Sequence, residues 1–170
     1  LNELNYSKDR DYFKSAIRVC QKEGLRYTNG FDSTIQSNIP IQAGTSSSSS
    51  IIVGWIKLIS SLADNPPSWD NQTIGRLAYE AEVLEFDEPG GMMDQYSTAI
   101  GNLIYLESEP SISIKKLNPK LGTFILADSG ESKNTFEILK RCRDSRQKLF
   151  KNLTINNPLI NIKSCDDNID

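Results

Sequence analysis

The sequence predicts an α/β (α+β) fold, and three observations predict it. Several helix-length stretches carry apolar residues three and four positions apart, as in Phe13, Ala16, Ile17 and Cys20. Other stretches alternate apolar and polar residues, as in Phe31 to Ile39. The two kinds interleave along a chain of 170 residues with 38% hydrophobic and 24% charged residues, the composition of one globular domain with a real core.

Taken in order, residues 8–23 predict a helix that Ser7 can cap and Gly24 can end. Residues 26–39 predict extended chain with a turn at Asn29-Gly30, then a strand in which Phe31, Ser33, Ile35, Ser37 and Ile39 share one face. Pro40 to Thr45 and the serines 46–50 follow, and then an apolar helix with Ile52, Trp55, Ile56, Ile59 and Leu62-Ala63. Pro66-Pro67 ends that unit. Ser68 or Asp70 starts a helix to about Leu84, with Ile74, Leu77, Ala78 and Ala81 on one face. A turn at 86–91 precedes a short helix from Met92 to Ala99. Residues 102–107 and 111–117 predict paired strands joined at Ser108-Glu109-Pro110. Residues 122–128 predict a buried strand, residues 133–151 a charged helix, and residues 152–170 a polar C-terminal extension rich in Asn and Asp.

Composition excludes several kinds of chemistry. The chain contains no histidine, which removes Ser-His-Asp and Cys-His mechanisms and most zinc sites. Acid–base work therefore falls to carboxylates, lysines or tyrosines. Cys20, Cys142 and Cys165 are widely spaced and odd in number, as reduced thiols in a cytoplasmic protein would be. The net charge of −3 offers no basic surplus for nucleic acid. No apolar run approaches the roughly 18 residues a membrane helix needs, and the charged N-terminal stretch lacks a signal peptide's apolar centre.

Two readings of serines 46–50 stand side by side. A flexible serine linker is one. The other is an anion site: a strand, a turn containing Gly44, then a helix start would gather unpaired N–H groups around a phosphate. The loop lacks the Gly-Lys-Ser/Thr of a Walker A motif. Glu80, Glu82 and Glu85 likewise read either as a solvated helix face or as oxygen ligands for Mg²⁺, and Asp94 either as a helix cap or as a base beside an attacking hydroxyl.

Residues 39–50, Ile-Pro-Ile-Gln-Ala-Gly-Thr followed by the serines 46–50, resemble the phosphate-binding loop of GHMP kinases, with Gln42 and Thr45 departing from the family pattern. Gly91-Met92-Met93-Asp94-Gln95 is similar to the Gly-Ile-Met-Asp-Gln segment of the galactokinase branch, and Ala81-Glu82 matches that branch's Ala-Glu pair. Asp128-Ser129-Gly130 resembles a third segment of that branch, whereas Lys140 to Arg143 do not reproduce its sugar-contacting motif.

The resemblance implies a ribosomal-S5-like two-layer sandwich, a mixed sheet with packed helices and a left-handed crossover. It implies ATP- and Mg²⁺-dependent phosphorylation of a sugar hydroxyl, with a mevalonate- or homoserine-type kinase or a non-catalytic ligand-binding relative as alternatives. Asp94 would be the catalytic base; Gln42, Ala43, Gly44, Thr45, Ser46, Ser47 and Ser48 would cradle phosphate; Ser48 and Glu82 would hold Mg²⁺. Residues 1–151 would form the core, with the phosphate loop at 40–50 and the catalytic segment at 80–96. The family's first sugar-binding segment and last glycine-rich loop are not found, so the chain is expected to be a fragment of a longer enzyme.

Overall fold

The computed structural model describes residues 4–41, 43–127, 130 and 135–156. Two compact units divide the chain, residues 1–133 and residues 134–170.

The first unit is built on four helices: α1 (Tyr12–Lys22), α2 (Ser47–Leu62), α3 (Asn71–Glu82) and α4 (Met93–Ile100). A 3-10 turn at Leu84–Phe86 joins α3 to the segment before α4. Helix α3 is central and packs on each of the other three. The core forms where their apolar stripes meet: Ala16, Val19 and Cys20 from α1, Ile52, Val53, Ile56 and Ile59 from α2, and Ile74, Leu77, Ala78 and Ala81 from α3. Tyr96 and Ala99 of α4 are buried beside them.

Local chemistry fixes the helix ends. The Asp11 side chain caps α1 by accepting from the Lys14 N–H, and Asp70 caps α3 by accepting from the Thr73 N–H. The cap of α1 is thus Asp11, and Ser7 instead donates its hydroxyl to the Asp11 carboxylate. Glu85, just past α3, draws in the N-terminal segment: it accepts from the Tyr6 hydroxyl at 2.6 Å and pairs with Arg18 and Lys22 at 3.0 Å each. Burial alone would raise the Glu85 carboxyl, but these three donors outweigh it and hold the group below its ordinary value. Burial and the same carboxylate push the Tyr6 hydroxyl up to about 12.

After α4, β1 (Leu103–Glu107) and β2 (Ser113–Leu117) pair antiparallel, with Leu103 opposite Leu117 and Tyr105 opposite Lys115. Mixed α and β content therefore stands. The expected mixed sheet does not form among the described residues, which hold only this two-stranded ladder. Residues 26–39 are not a strand, and neither are 122–127. Phe31 and Ile35 are exposed, and so are Phe124, Ile125 and Leu126, the last three at 78%, 92% and 79%. Alternation and apolarity supply a strand's faces, but a strand also needs a ladder partner for its N–H and C=O groups, and no described segment forms a ladder with these.

In the second unit, α5 (Thr135–Asn156) continues five residues beyond 151, into the expected polar extension. Asp128 and Ser129 of the Asp-Ser-Gly segment, Cys165, and 157–170 of the extension lie outside the described residues.

One contact sets how closely α3 and α4 approach. A Cβ at Gly75 would stand 3.0 Å from the Tyr96 Cα and 3.1 Å from its ring. Gly75→Val is therefore expected to lower stability by about 1–3 kcal/mol, read as a fall in the urea midpoint, because the backbone of α4 cannot swing aside as a side chain could. A second expectation concerns acid. Since the folded Glu85 carboxyl lies below its ordinary value, its stabilisation is complete above about pH 4.5 and is lost as pH falls through the folded value. Glu85→Gln should flatten the fall in melting temperature on acidification below that pH; an unchanged slope would assign the acid limb elsewhere.

Candidate active site

The loop before α2 is shaped by two left-handed residues, Gly44 at φ 75° and Ser46 at φ 54°. The Thr45 hydroxyl closes it by donating to the Pro40 carbonyl at 3.2 Å. Ala43 and Gly44 are exposed, Thr45, Ser46 and Ser47 half-buried, and Ser48 exposed on the first turn of α2. Gln42 lies outside the described residues. No side chain caps α2. Its first helical bond runs from the Ser50 N–H to the Ser46 carbonyl, so the N–H groups before it are left for an external acceptor. Serines 47–50 belong to the helix, which replaces the linker reading with a helix start.

Behind that first turn lies Glu82, the last residue of α3 and only 7% exposed. Its Oε2 accepts from the Ser49 hydroxyl at 2.8 Å and from Gln95 Nε2 at 2.7 Å. Ser49 and Gln95 are themselves 1% and 3% exposed. Three helices thus converge on one carboxylate. Glu82 forms no ion pair with any described residue. It also sits at a helix C-terminus, where the macrodipole disfavours an anion. Burying a carboxylate costs several kcal/mol, and hydrogen bonds to a charged group return about 1.5–3 kcal/mol each. Two neutral donors offset much of that cost yet leave the charge unmatched.

Gln95 belongs to the first turn of α4, one residue after Asp94. Asp94 is exposed, and no side chain caps α4 either. A neighbouring residue on a helix points about 100° away, so Gln95 faces the core while Asp94 faces solvent at the same level. Glu88 lies on the approach to α4 and accepts from Arg10 Nε at 2.7 Å and from the Tyr12 hydroxyl at 3.2 Å. Its carboxyl is raised, first by burial and opposed by Arg10, with the Glu82 charge adding to the rise. Burial first, and then the Glu88 charge, raise the Tyr12 hydroxyl above its ordinary value.

The structure thus brings Glu82 to the foot of the serine turn, with Asp94 next to the residue that touches it. Glu80 instead pairs with Arg76 at 2.6 Å, and Glu85 holds Tyr6 of the N-terminal segment together with Arg18 and Lys22 of α1. Sequence reasoning missed Ser49, Gln95, Glu88 and Arg10 as parts of this neighbourhood. For Ser49 a signal was present: it lies three and seven residues before Ile52 and Ile56, on the buried stripe. Arg141 and Arg146 are exposed on α5, and Arg143 pairs with Asp144.

Residues 11–102 match the N-terminal domain of GHMP kinases. The chain belongs to the GHMP kinase family. A galactokinase of Clostridium perfringens is 29% identical over 171 aligned positions, covering 89% of this chain and 42% of the relative. A mevalonate kinase of Thermococcus gammatolerans is 25% identical, covering 88% of this chain and 45% of its own length. A D-glycero-alpha-D-manno-heptose 7-phosphate kinase of Campylobacter jejuni is 30% identical over 97 residues, 57% of this chain. The chain spans less than half the length of the galactokinase and mevalonate kinase it matches. No solved structure matches it.

The family's ATP and Mg²⁺ can be tested against these residues. Among the described residues no group of three or more acidic or cysteine side chains could cage a metal ion. Mg²⁺ does not need such a cage, since it is usually held by one or two carboxylates, waters and substrate phosphates. A buried carboxylate with no cationic partner among the described residues, behind a helix start with open N–H groups, fits that pattern.

Gly44 tests the loop in isolation. Nothing lies within 4 Å of a Cβ placed there, so only its positive φ is at stake. Gly44→Ala is expected to cost about 1–2 kcal/mol locally. Amide hydrogen exchange should quicken at residues 43–48 and stay unchanged in the cores of α1 and α3; uniform quickening would mean the loop is coupled to the whole fold.

Proposed function

We propose that this GHMP kinase chain supplies the phosphate loop, metal ligands and catalytic carboxylate for ATP- and Mg²⁺-dependent phosphorylation of a sugar hydroxyl, at the anomeric carbon. One observation carries the reading: the buried Glu82, without an ion pair to any described residue, stands behind the uncapped serine turn of α2, with Asp94 on the adjoining turn of α4. Residues 42–48 would receive the phosphates on backbone N–H groups and hydroxyls. Ser48 and Glu82 would hold Mg²⁺, which when bound neutralises phosphate charge during transfer. Asp94, exposed where substrate can reach it, would take the hydroxyl proton or stabilise the attack.

The sugar reading draws on the Gly91-to-Gln95 segment and on the galactokinase relatives. A mevalonate-type acceptor is the second reading, because those relatives match nearly the same share of the chain. We propose the ribosomal-S5-like sandwich for the complete domain, with residues 26–39 and 122–127 as the extended segments available to widen the β1–β2 sheet. A cytoplasmic setting is proposed from the free Cys20 and Cys142 thiols. No described helix is long and apolar enough to cross a membrane.

The test is phosphoryl transfer by the intact protein to galactose, other sugars and mevalonate, with the parent and Asp94→Ala compared. Asp94→Ala is expected to lower kcat by about 10²–10⁴-fold while Mg-ATP affinity stays near that of the parent. Parent-level turnover in Asp94→Ala would remove the aspartate from the mechanism, and transfer to mevalonate alone would replace the sugar reading with the second one.

A further inference from the structure

The geometry points to Ser49 and Gln95 as positioning residues that hold one oxygen of Glu82 so that the other is presented to the metal. The inference rests on the kinase reading above and assigns roles to two residues that do not themselves touch the metal.

Both donors bind the same atom. Ser49 Oγ and Gln95 Nε2 reach Glu82 Oε2 at 2.8 and 2.7 Å. The second carboxylate oxygen, Oε1, accepts no hydrogen bond from any described residue, and Glu82 makes no ion pair with one. A carboxylate gripped at one oxygen by donors from two other helices cannot rotate freely. Its plane and its free oxygen are fixed before any ligand arrives. Ligating carboxylates are tuned in this way, by donors outside the metal's own contacts.

The Gln95 amide adds an independent sign. Its Oε1 is buried and has no hydrogen-bond partner among the described residues. Turning the amide over would set that oxygen against the Glu82 carboxylate, so the contact with Glu82 dictates the orientation. An unpaired buried carbonyl is unfavourable and uncommon. Gln95 is therefore oriented to serve Glu82 at its own oxygen's expense. Ser49 makes a parallel case: a hydroxyl occupies the buried stripe of α2 where Ile52, Val53 and Ile56 follow, and among the described residues its hydrogen bond is the one to Glu82.

Mn²⁺, as a paramagnetic substitute for Mg²⁺, is titrated into the intact protein with ATP present, and free Mn²⁺ is read by electron paramagnetic resonance. Parallel readings are ATP affinity in a chelator and melting temperature. Ser49→Ala and Gln95→Met are each expected to weaken Mn²⁺ binding at least about tenfold. Ser49→Cys, which keeps a weaker donor, should fall between Ser49→Ala and the parent. Metal-free ATP affinity should not change. If Glu82→Gln releases Mn²⁺ while Ser49→Ala and Gln95→Met bind it as the parent does, the positioning roles are overturned and the kinase reading stands. If the parent binds no Mn²⁺, or Glu82→Gln binds it unchanged, the metal role of Glu82 falls and the inference falls with it. If Mn²⁺ affinity, metal-free ATP affinity and melting temperature drop together in both variants, the two residues are merely structural, which also overturns the proposal.

Discussion

The closeness of α3 and α4 is the constraint on which the rest of the site depends. Residue 75 has no side chain, so the Tyr96 backbone can press against α3 with ring and main chain both in contact. That approach brings the first turn of α4 to the end of α3, where Gln95 reaches Glu82. Helix α2 lies against both and delivers Ser49 to the same oxygen. A carboxylate of one helix bound by donors from two others serves as a gauge of their packing. A small shift between any two of them would strand a buried charge, which costs far more than an ordinary lost contact.

The helix starts divide into two kinds. Helices α1 and α3 begin with Asp11 and Asp70, whose carboxylates occupy the open N–H groups. Helices α2 and α4 begin without a side-chain cap, and these are the two whose first turns flank Glu82. Capping contributes about 1 kcal/mol to a helix, so leaving two ends open forgoes stability at the place where an anion would recover it. Ser46 in the left-handed region adds strain at the same turn.

Helices were legible in the sequence because their signal is local. Phe13, Ala16 and Cys20, or Ile74, Leu77 and Ala81, declare a buried face at helical spacing without reference to anything else in the chain. The cap of α1 was displaced from Ser7 to Asp11 because either residue can cap, and only the position of the first turn decides. Strands failed for the opposite reason. Phe31 to Ile39 has the right period and 122–127 the right apolarity, but pairing is a property of two segments, and neither finds one among the described residues. The β1–β2 hairpin was legible because both partners adjoin a short connection. In the site, Glu82 and Asp94 stood out by motif, whereas five consecutive serines carry no mark of which one turns inward. The register of α2 makes that choice, burying Ser49 and exposing Ser48.

The two site carboxylates occupy opposite surroundings, and that contrast suits the two tasks proposed for them. Glu82 is buried, bonded at one oxygen and held by three helices, so it can place a charge accurately but cannot move to follow a substrate. Asp94 is exposed on a first turn, where solvent leaves it free to meet a hydroxyl. Phosphoryl transfer asks for both: a fixed electrostatic frame for the phosphates and a reachable acceptor for one proton. Exchanging the two environments would defeat each task, since a buried base could not be reached and an exposed, mobile ligand would lose the preorganisation that makes the frame effective. The placement of these carboxylates therefore follows from the packing of α2, α3 and α4, and the chemistry open to the site follows from that placement.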